Sequence, residues 1–231
     1  MQRNFHSAFS NVTNYINVIR YLYRYENQEH IDKFFDTGEL LISSFHQYSQ
    51  YKDNQLGDGS EGSSFSTATS QSNDLSFGAV SSVGHQSYCF CTSTVMDKDL
   101  FKTFGRNSVF RIKDPINFIL EVERSLTRVR EVLQGNCIYL DKRIISKQVP
   151  NFTMDTFKHD EHSDSMSMDK MMGAIQAING PEQYFLKLLN HQKQSEYRIL
   201  WNTDREVKEP LVITCPEAIK FCEKVEVEIL T

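Results

Sequence analysis

The sequence predicts an α+β domain with a split, mixed or antiparallel β-sheet core flanked by helices. Two observations carry this. Helical and strand patterns interleave along the chain, but the strands are short and partly alternating. No Gly-rich phosphate loop follows a strand, so the Rossmann and P-loop fingerprints are both absent. The 231 residues suffice for one large domain. A lead-in over 1–20 and a single domain over 21–231 are expected.

YLYRY (21–25) alternates and is Tyr-rich, which reads as a strand. In NQEHIDKFFDTGEL, Asn27 is placed to cap a helix, Ile31, Phe34 and Phe35 form its stripe, and Gly38 ends it. LLISSF (40–45) is a second strand. Residues 52–87 are dominated by Ser, Gly, Asn and Asp and read as a long loop, either functional or a surface insertion. SYCFCTSTV (87–95) and NSVFRI (107–112) are strands. Asp114 as N-cap and Pro115 at N1 open a helix with Phe118, Val122, Val129 and Leu133 on one face, expected to run to Gly135. NCIYL (136–140) is a buried strand. Residues 151–173 are polar. A helix is expected from Pro181, with Tyr184, Phe185, Leu188 and Leu189 as its apolar face. In KQSEYRILW (193–201), period two puts Gln194, Glu196, Arg198 and Leu200 on one strand face and Tyr197, Ile199 and Trp201 on the other. LVITC (211–215), a short helix over 216–222 and the alternating KVEVEIL (224–230) complete the pattern.

Composition narrows the class. Hydrophobic residues make up 39% and charged residues 24%, ordinary for a globular protein, and aromatics reach 12%. The net charge of −5 announces no broad basic face for duplex DNA, although a narrow basic cleft is compatible with it. The five cysteines match no zinc spacing. Cys89 and Cys91 read as small buried thiols on one side of a strand, hence a reduced, cytoplasmic setting. The N-terminus has no continuous apolar core of a secretory signal, and no apolar run reaches the roughly 20 residues that span a bilayer. No membrane partner is expected.

Three constellations could carry chemistry. HDEHSD (159–164) is dense in potential ligands, but its spacing fits no metal frame, so a solvated acidic loop is expected and no metal. Cys89 and Cys91 have no base beside them in sequence. The third candidate joins Arg24 of YLYRY, the hydroxyl trio Thr92, Ser93 and Thr94, and Gln194 with Glu196. Singly each is weak, but their order along the chain is informative.

In that order the chain resembles the ADP-ribosyltransferase superfamily in its Arg–Ser–Glu form. That family has an Arg on its first core strand, a Ser-Thr-Ser motif on a later one and Q/E-x-E near the C-terminal end. Here the series would be Arg24, Thr92–Thr94 and Gln194-x-Glu196, with FFDTGELLIS similar to the family's helix and strand after the first motif. Thr92 stands where the first Ser is expected, and a second register would use Ser43 and Ser44. The layout YRY, GEL, EG and E-x-R is also similar to a group of bacterial proteins associated with this fold. The resemblance covers roughly 21–201.

It implies an ADP-ribosyltransferase-like fold and a mono-ADP-ribosyltransferase that takes NAD as its substrate. Glu196 would stabilise an oxocarbenium-like transition state through the ribose 2′-OH. Gln194 would orient the acceptor nitrogen. Arg24 would bind the pyrophosphate. Thr92 or Ser93 would hold Glu196, with Thr94 beside them, and Tyr23, Tyr25 or Phe90 would stack on nicotinamide. The Q-x-E form is similar to toxin or defence effectors that modify an amide side chain or a nucleobase, so the acceptor would be single-stranded RNA or DNA, or a protein. A neutralising antitoxin is an open question at this point. Two alternatives stand beside the transferase: a non-catalytic NAD- or nucleotide-binding module, and an NAD glycohydrolase.

Overall fold

A computed structural model gives the fold over residues 5–7, 21–50, 61–70, 76–149, 154–160, 162 and 165–226. The elements are, in chain order, β1 (Phe5–Ser7), β2 (Leu22–Glu26), α1 (Gln28–Thr37), β3 (Glu39–Ser44), α2 (Phe45–Gln50), β4 (Ser63–Ser70) and β5 (Ser76–Ser82). There follow β6 (Ser87–Ser93), α3 (Lys98–Phe104), β7 (Ser108–Ile112), α4 (Pro115–Ser125), β8 (Val129–Asn136), β9 (Ile138–Leu140) and β10 (Ile144–Val149). The last are α5 (Met168–Ile178), β11 (Leu186–Leu188), β12 (Glu196–Thr203), β13 (Leu211–Thr214) and β14 (Cys222–Lys224). This is an α+β arrangement, as the interleaved patterns predict.

The main sheet runs β1-β8-β12-β6-β2-β7-β14, with β3 attached to β6 and β13 to β3. It is mixed: β1 lies parallel to β8, and the central pairs are antiparallel. Both faces are covered. Tyr197, Ile199 and Trp201 point into a core with Leu22, Phe90, Phe110, Ile112 and Phe118. Leu200 points the other way, against Phe45, Cys89, Leu133 and Phe185. The two faces of KQSEYRILW thus separate as period two requires. Arg24 and Glu26 stand on β2, which ends against α1. That helix is closed by Gly38 at φ 79, the left-handed cap for which a glycine suits. Asn27 occupies the N-cap position without a side-chain cap, and Asn107 Oδ1 accepts from the Gln28 N–H instead, at 2.8 Å.

Four expectations change. The segment 52–87 carries two strands rather than one loop: β4 and β5 form an antiparallel hairpin, and β10 adds to β4 in parallel. Residues 52–60 and 71–75 lie outside the described residues. The inward positions of β4 are Ser64, Ser66, Ala68 and Ser70, all buried. Small residues fit there because Gln183 reaches in: its Nε2 donates to Ser66 Oγ at 3.0 Å, and its Oε1 accepts from Ser81 Oγ at 3.0 Å.

The helix from Pro115 stops at Ser125 instead of reaching Gly135, and 129–136 is a strand. The third change concerns 151–189. α5, capped by Ser167, begins inside the stretch read as polar, and Pro181 opens a 3-10 turn (Pro181–Phe185) that passes into β11. Phe185, Leu186 and Lys187 are buried consecutively, which a one-sided helix cannot do. Fourth, Gln194 is not on a strand. It ends a 3-10 helix (Leu189–Gln194), Ser195 turns through φ 44, and β12 starts at Glu196. The expectations for 1–4, 8–20 and 227–231 lie outside the described residues. For HDEHSD, Glu161, Ser163 and Asp164 do too.

Candidate functional site

The site forms where β6 changes partners. One edge of β6 pairs with β2 only at Tyr23–Ser93 and with β3 only at Ser43–Cys89 and Ser44–Tyr88. Between these points β2 and β3 diverge, so the sheet splits there and a cleft opens. Its walls include Tyr23, Arg24, Tyr48, Thr92, Gln194 and Glu196. Tyr25, Ser93, Glu61, Lys187, Arg198 and Arg106 line it as well. Arg24, the hydroxyl strand and the Gln194–Glu196 pair, far apart in sequence, therefore meet in one cleft.

Register explains the convergence. Glu196 pairs with Ser93 across β12–β6, and Ser93 pairs with Tyr23 across β6–β2. Arg24 sits in the split itself. Its Nη1 donates to the Cys91 carbonyl at 2.7 Å, its Nη2 to Glu26 Oε2 at 3.1 Å, and its guanidinium lies 4.7 Å from the Phe90 ring centroid. Glu26 also takes Arg106 at 2.9 Å. Burial works against ionising Glu26, but Arg24 and Arg106 outweigh it and hold the carboxyl below its ordinary range.

The opposite wall is more deeply buried. Glu196 is 6% exposed and Gln194 is 2% exposed, so neither is surface decoration. Glu196 Oε1 accepts from Arg198 Nε at 2.5 Å, and its Oε2 accepts from Lys187 Nζ. The Cys137 thiol also approaches Oε1, at 3.5 Å. Burial alone would raise this carboxyl, yet Arg198 and Lys187 hold it well below the usual carboxylate range, so it is ionised. Arg198 continues to Glu61 at 2.7 Å, and Glu61 to Arg143 at 3.6 Å. Lys187 Nζ also donates to Gln194 Oε1 at 2.6 Å.

The hydroxyl trio works on backbone, not on the Glu196 carboxylate. Thr92 Oγ1 donates to the Tyr197 carbonyl, Ser93 Oγ to that of Gln194 and Thr94 Oγ1 to that of Ser195, at 3.0, 2.8 and 3.2 Å. The three pin the turn that carries Gln194 and Glu196, and the cations hold the carboxylate itself. Tyr25 is engaged elsewhere. Its hydroxyl accepts from the Asp97 N–H at 2.7 Å and donates toward the Val95 and Asp97 carbonyls, and its ring packs on Phe101 at 4.9 Å. It anchors the start of α3. Phe90 lies buried under Arg24, which leaves Tyr23, Tyr48 and Phe104 as the cleft's half-buried aromatics. The Ser43–Ser44 register splits: Ser43 lines the cleft, whereas Ser44 Oγ donates to the Lys208 carbonyl at 2.6 Å.

Lys187, Arg198, Glu61 and Arg106 belong to the cleft but were not singled out as site residues. Two carried a signal: Arg198 shares a strand face with Glu196 and completes E-x-R, and Glu61 is the Glu of the EG pair. Lys187 gave none, because FLKLL reads as an ordinary half-apolar helix. Among the described residues no group of three or more His, Cys, Asp and Glu could hold a metal ion, and no helix is long and apolar enough to cross a membrane.

Comparison with models of protein families, with curated proteins and with solved structures finds no match to this chain. The functional reading therefore rests on the cleft.

Proposed function

We propose that the chain is a mono-ADP-ribosyltransferase of ADP-ribosyltransferase-like fold, with NAD as donor and a nucleobase or a protein side chain as acceptor. One observation carries it: the ordered motif residues Arg24, Thr92, Ser93, Gln194 and Glu196 converge on one cleft at a split in the sheet. The charge there supports an anionic dinucleotide. Around the cleft, Arg24, Arg106, Arg143, Lys187 and Arg198 face Glu26, Glu61 and Glu196, an excess of cations in a chain whose net charge is −5.

In this reading the bond between nicotinamide and its ribose breaks and nicotinamide leaves. The acceptor nitrogen attacks the same carbon and loses its proton to solvent water. Glu196, ionised and fixed, lies where its charge can offset the positive charge developing on the ribose. Gln194 positions the acceptor, and the Arg24 and Arg106 side supplies cations for the pyrophosphate. The toxin or defence role, with an antitoxin partner, is part of the same proposal.

A second reading, a nucleotide-binding module without turnover, draws on Glu196 itself, since both its oxygens already accept from buried cations. Labelled NAD incubated with a lysate separates the two. Label on nucleic acid or protein, or nicotinamide release, supports the enzyme. NAD binding by calorimetry without either supports the module. Nicotinamide release in buffer alone, with no label transferred, identifies water as acceptor.

A further inference from the structure

Lys187 is the least expected member of the cleft. It lies on β11, whose parallel partner is β9, and its register neighbour there is Tyr139. Both serve Glu196. The Tyr139 hydroxyl accepts from the Glu196 backbone N–H at 2.8 Å, and the Lys187 ammonium reaches the Glu196 carboxylate. The same ammonium donates to the Gln194 side chain at 2.6 Å. An ammonium can only donate, so the Gln194 atom it meets is the carbonyl oxygen. The amide is thereby oriented, with its NH2 edge turned toward His191 Nδ1 at 3.5 Å.

Stability does not account for this cation. Arg198 already pairs with Glu196 and Glu61, and Arg143 also meets Glu61. Lys187 makes three buried cations against two buried carboxylates. Removing an ammonium from water costs several kcal/mol, and an apolar side chain of similar size at this position would avoid that cost. Burial lowers the ammonium's proton affinity, but Glu196 more than restores it, so Lys187 stays charged.

We propose that Lys187 is a positioning residue of this site: bridging Gln194 and Glu196, it locks the amide orientation and the carboxylate into one constellation. The inference rests on the transferase reading for its consequence and on geometry for the bridge itself. Two measurements keep them apart. In the first, Lys187→Met lowers kcat for nicotinamide release on the order of a hundredfold, the cost of roughly an ångström of misplacement, while KM for NAD, set mainly by the Arg24 and Arg106 side, moves far less. Lys187→Arg, which retains a donor-only cation, recovers part of the loss. Wild-type kcat in folded Lys187→Met overturns the proposal. The second needs no variant and no turnover: nitrogen-detected NMR of the wild-type lysine ammonium groups. A Lys187 signal protected from exchange, with through-hydrogen-bond couplings to the side-chain carbonyl carbons of Gln194 and Glu196, supports the bridge. A Lys187 signal averaged like those of exposed lysines overturns it. Nicotinamide release absent from the wild type, with the bridge intact, places the failure in the transferase reading.

Discussion

At the scale of single residues, Glu196 decides how the site must be probed. Substituting it alone strands Lys187 as a buried cation and leaves Arg198 with Glu61 alone. Breaking such a pair from one side costs about 3–5 kcal/mol. Glu196→Gln is therefore expected to lower the urea midpoint clearly. The double variant Lys187→Met/Glu196→Gln, which removes both charges, should regain most of that loss. If the single and double variants unfold at the same midpoint, the two side chains are not energetically paired. The double variant is accordingly the better inactive control. Much of this wall was legible in sequence. Glu196 and Arg198 follow from period two, whereas Gln194, at the end of a 3-10 helix, does not, and Arg24 stands out in a Tyr-rich strand. Lys187 was not legible because its partners arrive through tertiary folding, and nothing in FLKLL distinguishes a buried ammonium from a solvated one.

At the scale of elements, the turns show which constraints are local. Gly38 and Gly105 both cap helices at positive φ. A Cβ on Gly38 would lie 2.4 Å from the Pro216 nitrogen, whereas one on Gly105 meets nothing within 4 Å. Gly105→Ala should cost only the conformational term, about 1–2 kcal/mol. Gly38→Ala should cost clearly more and lower the melting temperature further. Equal shifts for the two would show that the backbone of Pro216 yields freely. Local signals of this kind, with the Asp114–Pro115 helix start and the alternating strands, were readable. The end of that helix was not. Val129 and Leu133 are four apart, a spacing that both helices and strands place on one face. In β8 a register shift near Thr203 breaks even that pattern, so that Val129 packs with the first core and Leu133 with the second. The Ser-rich hairpin was hidden for a different reason: its inward face is satisfied by Gln183, a residue more than a hundred positions away.

At the scale of the whole molecule, the cleft couples stability to pH. Glu26 and Glu196 both have carboxyls depressed in the fold. Their contribution is present above the unfolded carboxylate range near 4.3 and is lost as pH falls below it. At the alkaline end, burial pushes the Cys215 thiol up to about 11 and the Tyr197 hydroxyl up to about 12. Protons kept in the fold stabilise it below the unfolded values, and that contribution is lost as pH rises from roughly 9 upward. Chemical denaturation across pH should show a plateau between about 5 and 8 with a fall on each side. A midpoint flat down to about pH 3 would contradict the ionised-carboxylate account of the cleft. The split sheet that joins Arg24 to Glu196 rests on pairings between distant strands, which sequence order suggested and only the fold brings together. The most direct test of the central claim is transfer of labelled ADP-ribose from NAD in a lysate, comparing wild type with the Lys187→Met/Glu196→Gln variant. The account predicts label on nucleic acid or protein with the wild type and none with the variant. NAD left intact by the wild type, or equal labelling by both, would contradict it.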